Sequence, residues 1–382
     1  MLALDDVRIL DLSRLAPGPF CSMLLGDLGA DVLLIEPPPD SRAGQGGAPA
    51  GDPHDALRRN KRSIVLNLRD GEARDIFYRL SASADFVLEG FRPGVVKRLA
   101  VDYGTLREKN PRLIYCSLSG YGQTGPYSNL VGHDINYISV GGALGMIGWP
   151  GEPPAIPMNV IADFAAGGLH AAYGILAALH ARDRTGRGQY VDIAMSDGVM
   201  YLLSMIVSGY FTNGRVPERG ATVLNGSVPH YNVYQCADGG WISLGSLEPH
   251  FWVNLCTAMG REDFVPHQYD AAKRDEIFAH FRQQFASKTR DEWFETLKQT
   301  DICVAPVLGL DEALANEHNV AREMVIEVEG VKQVGIATKL SETPGAVRST
   351  SPAPGQHTDD VLASLGYDAA AITALRARGA VA

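Results

Sequence analysis

The sequence predicts an α/β protein in two parts: a larger one with helices packed on a parallel sheet, and a smaller α+β one after it. Three observations predict this. Strand and helix signals alternate through the first 120 residues, and strands separated by helices imply a parallel sheet. A chain of 382 residues exceeds the size at which one hydrophobic core keeps growing. From about residue 225 the pattern changes to a hairpin followed by helices.

In chain order, "VRILDLS" reads as a buried strand, and "PGPFCSMLLGDLGA" as a helix with proline near its start and Gly29 near its end. "DVLLIE" and "SIVLNL" are the next strands, "GEARDIFYRLSAS" is an amphipathic helix, and "DFVLEG" and "RLIYCSLSG" complete the set. Right-handed crossovers place the strand C-termini and their loops along one edge. Residues 38–60 are rich in proline and glycine and read as a surface loop. Its last part, "RRNKR", is either a solvated basic face or a phosphate clamp. From 163 to 181, "DFAAGGLHAAYGILAALHA" is a helix dense in small residues, with Asp163 at its N-cap. "QYVDIAM" is a strand and "SDGVMYLLSMIVSGYFTNG" one further helix. "YNVYQCADGGWISLG" is a hairpin, and helices follow near 249–260, 271–286 and 290–299. The expected division is 1–200 for the large domain, 201–224 for a linker, 225–330 for the small domain, and 331–382 for a return linker with C-terminal helices.

Composition narrows the function. A net charge of −10 argues against general nucleic-acid binding. No run of about 18 apolar residues is free of charge throughout, so no membrane span is expected. The acidic N-terminus is unlike a signal peptide. Five scattered cysteines without a C-x-x-C pair fit reduced thiols in a cytoplasm. The first strand–turn–helix–strand, with Glu36 at the second strand end, is Rossmann-like. Its turn, "RLAPGPFCSMLLG", has prolines where a dinucleotide fingerprint needs glycines. Histidines and cysteines show no metal-ligand spacing.

The chemistry concentrates in "VGHDINYISVGGALGMIG", residues 131–148. His133 and Asp134 precede Asn136 and Tyr137, and the following eleven residues carry no charge. His133 and Asp134 are expected in the first turn of a helix, and Asp163 at the start of another. An imidazole and a carboxylate at two helix starts on the loop edge form a plausible acid–base pair. Apolar walls after His133 expel water and raise a carboxylate's pKa.

The segments "APGPFCSMLLGDLGADVLLIEPP", "DFVLEGFRPGVVKRL", "NPRLIYCSLSGYGQTGPY", "DFAAGGLHAAYGILAALHARDRTGRGQYVDIAM", "KLSETPG" and "PGQHTDDVLASLGYD" resemble signatures of the class III CoA-transferase superfamily, also called the CaiB/BaiF type. The resemblance covers nearly the whole chain. "GHDINY" followed by an aspartate thirty residues on, and "SLEPHFW", resemble the α-methylacyl-CoA racemases within it. The resemblance implies a Rossmann-like large domain, a small domain, and two chains interlocked as a homodimer. It implies an isomerase that inverts the α-carbon of 2-methylacyl-CoA thioesters. His133 and Asp163 serve opposite faces of that carbon, Glu248 supports the imidazole, from the partner chain if the dimer holds, and Asp134 sits beside Asp163. Positions matching those that hold coenzyme A are Arg42, Leu66, Asn67, Leu68, Arg69, Gly90, Phe91, Arg92, Arg98, Gly132, Ile135, Asn136 and Tyr137. Met146 and Met158 are candidates for an acyl-chain surface or for plain core packing. Pro37 stands where racemases often carry arginine, and Gly90 where many members carry asparagine. The coenzyme arrives with the substrate, so no metal, nicotinamide or flavin is expected. Two rival readings remain: a CoA-transferase with Asp163 as nucleophile, and a non-catalytic acyl-CoA-binding protein.

Overall fold

The computed structural model describes residues 1–38 and 51–382. The chain divides into two compact units. The first comprises Met1–Gly141, Pro157–Leu203 and Val320–Ala382; the second comprises Gly142–Ile156 and Ser204–Asn319.

The first unit is built on a six-stranded sheet of β1 (Arg8–Asp11), β2 (Asp31–Glu36), β3 (Lys61–Val65), β4 (Phe86–Glu89), β5 (Ile114–Ser119) and β6 (Tyr190–Ala194). Its spatial order is β3-β2-β1-β4-β5-β6, and every pairing is parallel. Strands covered on both faces are apolar nearly throughout; Phe86, Val87 and Leu88 of β4 are all fully buried. The order reverses between β1 and β4, and a crevice is expected beyond the strand ends there. Helix α1 (Pro17–Asp27) starts on a proline, whose missing N–H costs nothing in a first turn. Beyond its end Gly29 has φ +119°, and a Cβ there would meet that of Leu2 at 2.5 Å. α2 (Gly71–Ala82) is capped by Asp70, which accepts from the Glu72 and Ala73 N–H groups. Short helices α3 (Val95–Arg98) and α4 (Tyr103–Lys109) follow β4 and escaped the periodicity reading, being too short to show one.

Within the "RRNKR" run only Arg62 is solvent-exposed, and each cation is paired with a carboxylate or lies beside one. Arg58 pairs with both oxygens of Glu36 at 3.0 Å. Arg59 is 1% exposed and forks onto both oxygens of Asp27, with a further bond to the Val334 carbonyl. Lys61 is buried against Ser22 and lies 3.7 Å from Asp11. Burial pulls its pKa down to about 8 against the opposing Asp11 charge. Arg62 forks onto Asp31. Each cation is committed to a carboxylate of the same unit. Arg59 and Asn60 are buried, so the expected surface loop has ended by that point.

β3 is an edge strand, and later parts of the chain cover it. Asn60 N–H donates to the Ser349 carbonyl, and His357 N–H to that of Ser63. Ser63 N–H donates to His357 Nδ1, and Leu66 bridges to Val381. α12 (Thr358–Ser364) and α13 (Ala369–Ala377) are the two predicted C-terminal helices. β10 (Val325–Val328) and β11 (Val331–Val334) form a hairpin absent from the sequence reading.

α5 (Asp134–Val140) follows β5. The small-residue helix starts earlier than expected, as a π-helical segment, Val160–Leu169, running on into α6 (His170–Thr185). By length and composition this stretch could cross a membrane; here it packs on α1, β5, β6 and α7 (Met195–Leu202). Its small residues set that packing. A methyl at Gly168 would lie 2.7 Å from the Pro17 carbonyl oxygen, and one at Gly198 of α7 2.5 Å from that of Ala166. The single helix expected after β6 is two, α7 and, in the second unit, α8 (Ser204–Asn213).

In the second unit β7 (Tyr231–Gln235), β8 (Trp241–Gly245) and β9 (Val304–Val307) form an antiparallel sheet in that order, with the expected hairpin joining β7 and β8. α9 (Pro249–Ala258), α10 (Arg274–Phe285) and α11 (Arg290–Leu297) match the predicted helices, and bury Trp252, Phe281, Phe285 and Trp293 with Tyr234 in a core of their own.

Arg59→Ala strands the buried Asp27 carboxylate with Asn60 as its remaining side-chain donor. Equilibrium urea unfolding is expected to show a loss of about 3–5 kcal/mol, the usual cost of breaking one side of a buried pair.

Candidate active site

A cleft of about 950 Å³ opens in the first unit where the sheet order reverses. Its walls are the loops after β1 (Ser13, Arg14, Leu15), β4 (Gly90, Phe91, Arg92) and β5 (Ser119, Gly120, Tyr121), with Gly132, His133, Asn136 and Tyr137 from the entry to α5. Seven residues singled out from sequence thus meet around one cleft. Glycine is required at two of these places. A methyl at Gly120 would fall 2.2 Å from the Tyr137 ring, and one at Gly132 2.8 Å from it. The Tyr137 hydroxyl donates to the Gly132 carbonyl, so the ring lies locked between them.

His133 is the N-cap of α5, one position before the expected first turn, with an exposed side chain. Its N–H donates to Asn136 Oδ1 at 3.1 Å. Asp134 is 4% exposed. Its Oδ2 accepts from the N–H groups of Ala162 at 2.7 Å and Asp163 at 2.9 Å. The carboxylate at the start of α5 therefore caps the start of the next helix, satisfying N–H groups that no turn of that helix reaches. Asp134 Oδ1 is buried without a hydrogen-bond partner.

Asp163 lies inside the first turn of the Val160–Leu169 segment, whose N-cap is Asn159; the predicted N-cap position is corrected accordingly. The sequence reading began the helix at the visible run of small residues, but Val160–Ala162 already belong to it. Asp163 is half-buried, and Asn159 Nδ2 donates to its Oδ2 at 3.1 Å. Burial pushes its carboxyl above the ordinary aspartate range; the Asn159 bond opposes this, the Asp134 charge adds to it, and His133 draws it back. His133, Asp134 and Asp163 are thus electrostatic neighbours at two joined helix starts. An exposed imidazole beside a carboxyl of raised proton affinity can take a proton and give one in the same turnover.

Other predicted residues lie elsewhere. Ile135 is exposed on α5, outside the cleft walls. Leu66 and Leu68 are buried, and Asn67 N–H donates to the Ala380 carbonyl, so this stretch is tied to the C-terminal chain. Arg69 is exposed on the same stretch, and Arg98 is exposed at the end of α3. Arg42 falls outside the described residues. Glu248 is the exposed N-cap of α9 in the second unit. Met146 belongs to that unit, and Met158 is exposed in the first. Sequence reasoning missed Ser13, Arg14, Ser119 and Tyr121. Their signal was position, at or just beyond the C-terminal ends of β1 and β5, the strands on either side of β4. It also missed Glu89, the last residue of β4, which is 1% exposed. Burial pushes the Glu89 carboxyl up to about 7, against hydrogen bonds from Ser117 and the Phe91 N–H.

A family model for CoA-transferase family III matches residues 4–358. The chain belongs to that family. Among family III relatives, the alpha-methylacyl-CoA racemase of Mus musculus is 40% identical over 370 residues, which are 96% of this chain and 94% of its own. The racemase of Homo sapiens is 38% identical over 372 residues, with the same coverage. The succinyl-CoA–D-citramalate CoA-transferase of Chloroflexus aurantiacus is 34% identical, over 95% of this chain and 94% of its own. Among solved structures, a CaiB/BaiF family protein from Brucella suis superimposes with a TM-score of 0.84 at 29% identity, over 95% of this chain and 99% of its own. The protein is an enzyme of the class to which these racemases and transferases belong.

Substitutions at two residues probe the site directly. Asp134→Ala removes the acceptor from the buried Ala162 N–H and the half-buried Asp163 N–H, and denaturant unfolding is expected to show roughly 2 kcal/mol of lost stability; Asp134→Asn, which keeps an acceptor, is expected to lose less. Asn159→Ala removes the bond that favours the Asp163 carboxylate, so its titration by NMR is expected to move to higher pH.

Proposed function

We propose that the enzyme interconverts (2R)- and (2S)-2-methylacyl-CoA thioesters by removing the α-proton on one face and returning one on the other. The observation that carries this is the Asp134 clamp, which joins the helix starts bearing His133 and Asp163. Inversion at one carbon needs two differently placed groups, one arriving protonated and one not, because a single base returns the proton to the face it left. The raised proton affinity of Asp163 favours its carrying a proton when the His133 imidazole is free to accept one. As the proton leaves, charge moves onto the thioester oxygen, forming an enolate; reprotonation from the other side restores the thioester, inverted. Proton departure and return are redox-neutral, so the reaction as proposed needs no nicotinamide or flavin, and its acid–base groups are side chains, so no metal step is assigned to it.

In this reading the first unit's cleft takes the coenzyme A portion, against Gly90, Phe91, Arg92, Gly132, Asn136 and Tyr137, with Ile135 alongside. Arg42, Leu66, Asn67, Leu68, Arg69 and Arg98 are assigned to more distant parts of the coenzyme. Glu248 is assigned as the carboxylate that orients the imidazole, delivered by a partner chain. The homodimer is part of the same proposal. Exposed apolar side chains support it: Leu169, Tyr173, Leu176, Met200 and Tyr201 in the first unit, and Met205, Tyr210 and Phe211 on α8 in the second. All five cysteines are free, which fits a reducing, cytoplasmic setting.

Transferase relatives support a second reading, in which Asp163 attacks an acyl-CoA and passes coenzyme A to another acid. Incubation with a 2-methylacyl-CoA in D₂O, without an acceptor acid, separates the two. The proposal expects deuterium at the α-carbon; no exchange, with coenzyme A moving to an added carboxylate, would sink it. His133→Ala is expected to slow exchange of one enantiomer about 10²- to 10⁴-fold, and Asp163→Ala that of the other.

A further inference from the structure

Glu89 is a buried carboxylate with no part in the proposed proton transfer. It ends a strand whose other residues, Phe86, Val87 and Leu88, are apolar and wholly buried. An ionisable group there is costly unless its oxygens are well used. Among the described residues no cation forms a salt bridge with it, and the charge of Asp192 on β6 disfavours its ionised form. No ion pair therefore accounts for its presence.

Its hydrogen bonds do. Glu89 Oε2 accepts from the Phe91 N–H at 2.7 Å. Oε1 takes the hydrogen of the Ser117 hydroxyl, whose oxygen in turn accepts from the Tyr190 hydroxyl at 2.8 Å. One carboxylate thus links the end of β4 to the middle of β5 and the first residue of β6, and holds the turn leaving β4. That turn forms a wall of the cleft: Gly90, Phe91 and Arg92 all line it. The ring of Phe91 carries the Arg14 guanidinium at 5.2 Å from its centre, a contact that steadies a cation. Arg14 and Arg92 are the two arginines among the cleft-lining residues. A polyanionic coenzyme needs cations at fixed places.

We infer that Glu89 is a positioning residue for coenzyme A: through the Phe91 N–H it fixes the Gly90–Arg92 turn, and through the Phe91 ring it fixes Arg14. The inference rests on reading the first unit's cleft as the coenzyme A site. Glu89 acts on binding and leaves the proton-transferring groups alone, so its loss separates affinity from turnover.

The test is calorimetric titration of the full-length protein with coenzyme A itself, alongside α-deuterium exchange at saturating thioester. Glu89→Ala is expected to weaken coenzyme A binding about ten- to hundredfold, the span for losing a charge-assisted hydrogen bond, and to raise KM with it, while kcat stays within about threefold. Glu89→Gln keeps the reach and an acceptor oxygen for the Phe91 N–H, and is expected to restore most of the affinity. Ser117→Ala removes one donor to the carboxylate without touching the cleft wall, and carries the test if Glu89→Ala does not fold; a several-fold weaker Kd is expected. Wild-type affinity in a folded Glu89→Ala or Ser117→Ala protein, or no rescue by Glu89→Gln, would overturn the inference. Failure of the wild-type protein to bind coenzyme A at all would instead overturn the cleft assignment.

Discussion

Asp134 Oδ2 accepts two backbone hydrogen bonds, from Ala162 and Asp163, and so ties the entry of α5 to the entry of the next helix thirty residues on. Helix starts leave N–H groups without intrahelical partners, and a buried carboxylate requires donors. Here each need answers the other. The spacing between His133 and Asp163 is consequently set by main chain. Neither residue depends on a long, freely rotating side chain to reach its place.

The rest of the first unit makes that clamp reachable. The Val160–Leu169 segment lies so close to α1 and α7 that Gly168, and Gly198 facing it from α7, have no room for a methyl group. The sheet order reverses between β1 and β4, which opens the cleft beside α5. Tyr137 fills the space between Gly120 and Gly132 and braces the loop that delivers His133. Tight backbone approach, a topological reversal and one aromatic wedge together place reactive groups at the mouth of a cavity.

Much of this was legible from residue order. Strands β1, β2, β4 and β5 announced themselves as short apolar runs, because burial on both faces leaves little other pattern. The His–Asp doublet and Asp163 were found from their place at helix entries. Other features were invisible because their partners are far apart in the chain. Nothing local in "RRNKR" shows that its cations belong to Glu36, Asp27, Asp11 and Asp31. Asp163 resembled an N-cap because the residues before it, Asn159 to Ala162, lack the small-residue signature of those after it. Arg14 and Glu89 lie within stretches singled out from sequence, yet nothing local marks either one; only the assembled sheet brings the first against Phe91 and buries the second.

The seal along β3 has a consequence for biosynthesis. Its hydrogen-bonding edge is met by Ser349, His357 and Val381, which leave the ribosome some three hundred residues after the strand itself. Until they emerge, the nascent sheet presents an open row of amides and carbonyls, a template for pairing with a neighbouring chain. Translation of the entire second unit falls within that interval. The vulnerable period is therefore built into the order of the segments along the chain.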